Sequence, residues 1–323
     1  MPQLPHFQKA IEDSITNYPF PSTPRNLYEP LNYFLSLGGK RMRPALTLLA
    51  CELFGKPAME ALNAGVAVEL FHNFTLIHDD IMDEAPLRRG NMTVHEKWGR
   101  DVAILSGDVL YTEAFKLLLN YSPHITSKLL AILTKVSQEV CEGQQMDMDF
   151  EKRTDVSIEE YIEMIRLKTS VLLGAALEMG AVVAGVENEE DIRNCYEFGV
   201  NIGIAFQIQD DILDVYANPD KFGKQVGGDI LSNKKTILLL SALQFGNKEY
   251  QERLQVCLYH LEGHEKIEEV KKVFDAIGVR ELVEKQKTLF YHKALKNMQQ
   301  IHVPETQKSE LINLANFLMM REY

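Results

Sequence analysis

The chain has 323 residues, 34 Lys+Arg against 46 Asp+Glu, and a formal net charge of −12. With 46% hydrophobic and 25% charged residues it has the composition of a soluble globular protein, which excludes wholesale disorder. The acid excess argues against a general nucleic-acid binder and against a peripheral binder of anionic membranes, both of which carry basic surfaces.

Residues 1–20 lack the basic-then-apolar pattern of a signal peptide. The longest greasy stretch, Val171 to Val186, is too short to span a bilayer and contains Glu178. No stable membrane anchor is expected. Cys51, Cys141, Cys195 and Cys257 form no CxxC pair, which suits a reducing, cytoplasmic setting.

Of the 12 prolines, only Pro86, Pro123, Pro219 and Pro304 follow residue 57, so long stretches are open to helix. The first marked feature is a basic island at a glycine turn, Gly38-Gly39-Lys40-Arg41-Met42-Arg43-Pro44. On its own it reads as a surface loop, and it is not a Walker A loop, because Arg41 stands where Ser or Thr belongs. Ala58 to Asp83 then carries apolar residues at helical spacing, among them Leu62, Val66, Leu70, Phe74 and Ile77.

That predicted helix ends in His78-Asp79-Asp80-Ile81-Met82-Asp83-Glu84, a DDxxD pattern closed by Pro86. A second DDxxD, Asp210-Asp211-Ile212-Leu213-Asp214, precedes Asn218-Pro219. In each, the first and last carboxylates lie one helical turn apart, about 6 Å along the axis and on one face. They occupy the negative end of a helix dipole and repel one another. Either cluster alone reads as a solvated acidic helix end. Two with the same spacing, both set in apolar sequence, point instead to divalent metal. All-oxygen donors suit Mg²⁺, which uses one or two carboxylates plus substrate phosphates.

Several cations are available for such phosphates. Arg88 and Arg89 follow the first cluster, and their planar forks match phosphate oxygens. Lys168-Thr169, Lys224 and Lys234 are further candidates, with the glycine-rich 223–229 segment beside the last two. His72 lies seven residues before Asp79 and so shares its helix face. Between the two clusters, Ser157-Ile158-Glu159-Glu160 reads as a capping box opening a helix that runs to about Gly180. No alternating strand pattern of useful length occurs. The expectation is one all-α domain over 1–323, with about a dozen helices.

In this order the pieces resemble the trans-isoprenyl diphosphate synthases, the polyprenyl synthetase family that includes farnesyl and geranylgeranyl diphosphate synthases. The matching segments are 38–44, His72, 78–90, 143–147, Lys168-Thr169, 206–214, 223–230 and Lys234 to Thr236. The resemblance implies a single helical bundle around a central cavity, a homodimer, and condensation of isopentenyl diphosphate onto an allylic diphosphate. By that resemblance Asp79, Asp83 and Asp210 hold Mg²⁺, supported by Asp80, Asp211 and Asp214. Arg88, Lys168, Lys224 and Lys234 bind the allylic diphosphate, and Lys40, Arg43, His72 and Arg89 bind isopentenyl diphosphate. Gln207 and Lys168-Thr169 supply dipoles for the allylic cation, and the departing diphosphate can take the proton.

Product length is expected to depend on Phe74 and Thr75. Phe74 stands five residues, about 7.5 Å, before Asp79 on the helix. An aromatic there, with no insertion in the first DDxxD, resembles archaeal-type geranylgeranyl synthases; fifteen-carbon or longer products are the alternatives. A terpene cyclase would leave Lys40, Arg43 and Arg89 without a role. A non-catalytic synthase subunit would typically lack the aspartate motifs.

Overall fold

The computed structural model describes residues 4–217 and 226–320. Helices α1 (Leu4–Thr16), α2 (Arg25–Ser36) and α3 (Met42–Leu53) lead through a 3-10 turn at Ala58–Ala61 into α4 (Leu62–Met82). A two-residue hairpin follows, β1 (Leu87–Arg88) and β2 (Asn91–Met92), then α5 (Val94–Trp98), α6 (Arg100–Leu118) and α7 (Pro123–Lys152). Next come α8 (Ile158–Ile165), a π-turn at Arg166–Ser170, α9 (Val171–Val183) and α10 (Glu189–Tyr216). The remainder is α11 (Gly228–Leu231), α12 (Ile237–Phe245), α13 (Lys248–His260), α14 (Gly263–Ile277), α15 (Val279–Gln300) and α16 (Glu305–Met319). The all-α expectation holds. The helix number exceeds a dozen because one-turn helices such as α5 and α11 have no periodicity to betray them.

The chain divides into two compact units, each assembled from three segments. The first comprises Met1–Lys135, Ala175–Cys195 and His302–Leu311. Its central element is α4, buried on nearly every side from Ala64 to Phe71, as the run Ala-Gly-Val-Ala-Val allows. Full burial of Phe71 contributes roughly 2–3 kcal/mol. Two glycines set the closest approaches. A Cβ at Gly180 would lie 2.2 Å from the Thr47 carbonyl, and one at Gly107 2.4 Å from the His78 ring.

The second unit comprises Val136–Gly174, Tyr196–Ile301 and Ile312–Tyr323. Ile204, Ile208, Ile212 and Val215 of α10 recur at three- and four-residue spacing, and they share one core with Ile237, Leu240, Val270 and Phe274. The capping box at the start of α8 is present, with Ser157 and Glu160 each bonded to the other's backbone amide. The helical run it opens reaches Val183, interrupted only by the π-turn. All four cysteines are free thiols. Among the described residues no helix is long and apolar enough to cross a membrane.

Candidate active site

The first acidic cluster sits at the C-terminus of α4, with Asp83 as the capping residue donating its amide to the Asp79 carbonyl at 2.8 Å. The three carboxylates differ in environment. Asp83 is exposed and Asp79 half-buried, whereas Asp80 is only 1% exposed. Asp80 accepts from Arg88 Nε at 2.7 and 2.9 Å and from Nη2 at 2.6 Å. The hairpin makes this possible. Arg89 and Gly90 occupy its turn with φ of 52° and 75°, the left-handed pair of a two-residue type I′ turn. That turn directs Arg88 back onto the helix end and lays the Arg89 guanidinium against Gly39, where a Cβ would stand 3.2 Å from Nη2.

The basic island separates into two roles. Arg41, in left-handed backbone at φ 47°, is 3% exposed. It donates to Glu12 (2.7 Å), Glu69 (2.7 Å) and the Leu35 carbonyl (3.0 Å), so its charge is consumed in holding α1, α2 and α4 together. Arg43 instead reaches His72, Nη1 to Nε2 at 3.1 Å, and its buried Nε has no partner. Lys40 is exposed, with its carbonyl tied to Gln8.

Electrostatics mark this corner as a place for an anion. Burial first, and then Arg43, Arg89, Arg88 and Arg41, push His72 well below its ordinary pKa, so the ring is neutral. Burial likewise lowers Arg43 and Arg89, and Glu69 only partly opposes it. Arginine has no acceptor, so the neutral His72 takes the Arg43 bond on a bare Nε2 and carries its proton on Nδ1.

Phe74 is half-buried in an aromatic cluster. Its ring meets His78 edge-on at 4.7 Å and Tyr111 at 5.2 Å, and Phe71 lies 5.6 Å away. Thr75 bonds its hydroxyl back to the His72 carbonyl at 2.8 Å.

In the second unit, α10 presents the second cluster. Asp211 is 4% exposed and accepts from the Tyr161 hydroxyl, the Ile237 amide at 3.4 Å and Gln207 Nε2 at 3.4 Å. Burial raises its pKa to about 7, partly offset by Tyr161. Burial, with the charge of Asp229, raises Asp214 to about 6. Asp214 also takes the Asp229 amide at 3.1 Å. Asp210, half-buried, completes the motif. Neighbouring Gln209 receives Lys287 Nζ from α15 at 2.5 Å.

Lys168 and Thr169 lie in the π-turn, and Lys168 pairs with Asp147 at 2.5 Å. The turn's backbone is pressed against α7: a Cβ at Gly143 would lie 2.2 Å from the Lys168 nitrogen. The 143–147 segment thus seats Lys168 through a glycine and an aspartate four residues apart. Lys234 is exposed at the end of the loop after α11. Lys224 lies outside the described residues.

Two residues escaped the sequence reading. Tyr161 and Lys287 grip the second motif segment through tertiary contacts, and no local spacing announces such contacts. Only Tyr161 left a trace, as the first large apolar position after the capping box.

The chain belongs to the polyprenyl synthetase family, whose model matches residues 24–277. It is a prenyltransferase. A geranylgeranyl pyrophosphate synthase of Geoglobus acetivorans is 37% identical over 98% of this chain and 97% of its own length. A geranylgeranyl diphosphate synthase of Methanosarcina mazei is 39% identical over 98% and 95%. A geranylfarnesyl diphosphate synthase of Natronomonas pharaonis is 41% identical over 69% of this chain and 70% of its own. A crystal structure of a geranylgeranyl pyrophosphate synthase superposes with a TM-score of 0.94 at 42% identity, covering all of both chains.

Proposed function

We propose that the protein condenses isopentenyl diphosphate head-to-tail with an allylic diphosphate and releases geranylgeranyl diphosphate as its main product. The observation that carries the diphosphate chemistry is the arginine corner around His72: in a protein of net charge −12, Arg43 reaches His72 with its own buried Nε unpartnered, and the Arg89 guanidinium lies against Gly39. Lys40, Arg43, His72 and Arg89 would bind isopentenyl diphosphate without metal. Arg88, Lys168, Lys224 and Lys234 would hold the allylic diphosphate.

The donors fit Mg²⁺. Asp79 and Asp83 are oxygen ligands one turn apart at a helix C-terminus, and both reach solvent. Among the described residues no three such groups cage an ion by themselves, so diphosphate oxygens and water would complete its shell. When bound, the metal with Asp79, Asp83 and Asp210 supplies Lewis-acid stabilisation of charge developing on the leaving diphosphate. Asp80, Asp211 and Asp214 act from behind: Asp80 aims Arg88, Asp211 is braced by Tyr161, and Asp214 anchors the backbone near Lys234. Lysine and arginine stabilise the same developing charge through preorganised donors. Gln207 and Lys168-Thr169 offer dipoles to the allylic cation.

The twenty-carbon product rests on the half-buried Phe74 ring and on the relatives' names. A geranylfarnesyl product is the second reading, favoured by the similarity to the Natronomonas pharaonis enzyme. Homodimer formation belongs to the same proposal, supported by Ile104 and Leu105, large apolar side chains 37% and 57% exposed on α6. So does a cytoplasmic, single-domain enzyme over 1–323. Incubation with Mg²⁺, isopentenyl diphosphate and primers of five to fifteen carbons, followed by product chromatography, tests the reading. Geranylgeranyl diphosphate is expected, and no turnover with any primer would overturn it.

A further inference from the structure

The short helix α11 joins two parts of the second half-site, and it is mounted at both ends. At its start, the Gly227 amide donates to the Asp214 carbonyl at 2.6 Å, and the Asp229 amide to Asp214 Oδ2 at 3.1 Å. At its end, the Lys234 amide returns to the Asp229 carbonyl at 2.9 Å. Asn233, in left-handed backbone at φ 55°, turns the chain between them. A four-residue helix has too few internal bonds to hold this shape alone.

The support comes from α14. Lys266, in its first turn, is 5% exposed and donates Nζ to the Leu231 carbonyl at 3.2 Å. The next residue, Ile267, lies under the other end of α11, where a Cβ on Gly227 would stand 2.8 Å from its side chain. The space bounded by Asp229, Ile230, Asn233, Lys234, Val270 and Phe274 is only about 10 Å³, about one water. A buried ammonium is retained only where it has a specific acceptor, and a cation at a helix C-terminus complements the exposed carbonyls there.

We infer that Lys266 is a positioning residue for the allylic-diphosphate half of the site. It touches no substrate. By pinning the last carbonyl of α11 it fixes where the Lys234 backbone stands relative to Asp214. The inference rests on the proposed prenyl-transfer reading, but the mount itself can be tested apart from it.

Lys266→Met keeps the aliphatic stem and removes the donor; Lys266→Arg restores a donor. In the substrate-free protein, amide hydrogen exchange across 229–234 is expected to quicken about tenfold in Lys266→Met, the effect of losing one hydrogen bond to a charged group, and to recover in Lys266→Arg. Protection in α4 and α6 should stay unchanged, which separates a local release from general unfolding. In turnover, KM for the allylic diphosphate should rise about tenfold while KM for isopentenyl diphosphate holds. Unchanged exchange in Lys266→Met would overturn the inference, as would equal rises in both KM values. If Lys266→Met does not fold, Lys266→Gln, with a shorter neutral donor, should show the same local loss to a smaller degree, and unchanged exchange there would count equally against the mount. A parental enzyme without prenyl transfer would sink the functional reading while leaving the exchange result to decide the mount.

Discussion

Arg43 donates to His72 across 3.1 Å, and this pairing places on Nδ1 the proton of a ring kept neutral first by burial and then by the surrounding arginines. A neutral imidazole amid four arginines can still offer that Nδ1 hydrogen to a phosphate oxygen without adding to the charge repulsion around it.

This neutrality has a pH signature. The unfolded chain protonates His72 as the pH falls through about 6.5, whereas the folded protein does so only well below that. The unfolded state therefore binds more protons in that window. Stability fully present above about pH 6.5 is lost as the pH falls toward the lowered folded value, by at most about 1.4 kcal/mol per pH unit. Urea unfolding of the parent and of His72→Gln from pH 7.5 to 5 should show this slope reduced in the variant. Equal slopes would mean that His72 titrates normally when folded.

Arg88→Met leaves Asp80 buried without its cation. Arg88 is partly solvent-exposed, so the loss should lie near the lower end for a broken buried pair, about 3 kcal/mol. Arg88→Met/Asp80→Asn should recover part of that stability but none of the activity, because the guanidinium remains absent from the diphosphate. Denaturant midpoints and initial rates measured on the same samples test both halves.

Removing the Phe74 ring should lengthen the product. In Phe74→Ala the next ring available to block a growing chain is Tyr111, so one additional five-carbon unit is expected, and Phe74→Ala/Tyr111→Ala should extend it further. Product chromatography decides; an unchanged twenty-carbon product would assign Phe74 to packing alone.

Tyr161→Phe removes the hydroxyl that braces Asp211 while preserving the buried ring. A lost hydrogen bond to a charged or partly charged acceptor predicts a stability decrease of about 1–3 kcal/mol. It also predicts a kcat about tenfold lower, with KM for isopentenyl diphosphate unchanged. Equal effects on both parameters would indicate a general distortion.

The helix-borne part of the site is legible in sequence because it is local. DDxxD spacing, the capping box and the proline stops place Asp79, Asp80, Asp210 and Asp211 at helix ends before any tertiary contact is known. The fates of the cations are less legible. Arg41 and Arg43 are two residues apart and chemically identical, yet one is consumed by Glu12 and Glu69 while the other faces His72. That difference depends on a left-handed backbone at Arg41 and on where α1 and α4 lie. Likewise Arg88 is a phosphate candidate by composition, but the hairpin bonds it to Asp80.

The π-turn at Arg166–Ser170 carries a constraint of another kind. It accommodates one residue more than a regular helix of equal length, so a one-residue deletion within the turn would restore regular helix and keep the register beyond it, whereas a deletion between the turn and Gly174 would rotate everything beyond it by about 100°. In the second case Gly174, whose absent Cβ makes room for Val200 and the Tyr196 carbonyl, would be replaced on that face by a bulkier neighbour. Sequence drift can exchange side chains along this helix, but a one-residue change in its length is absorbed only at the π-turn, and there at the cost of the backbone that seats Lys168.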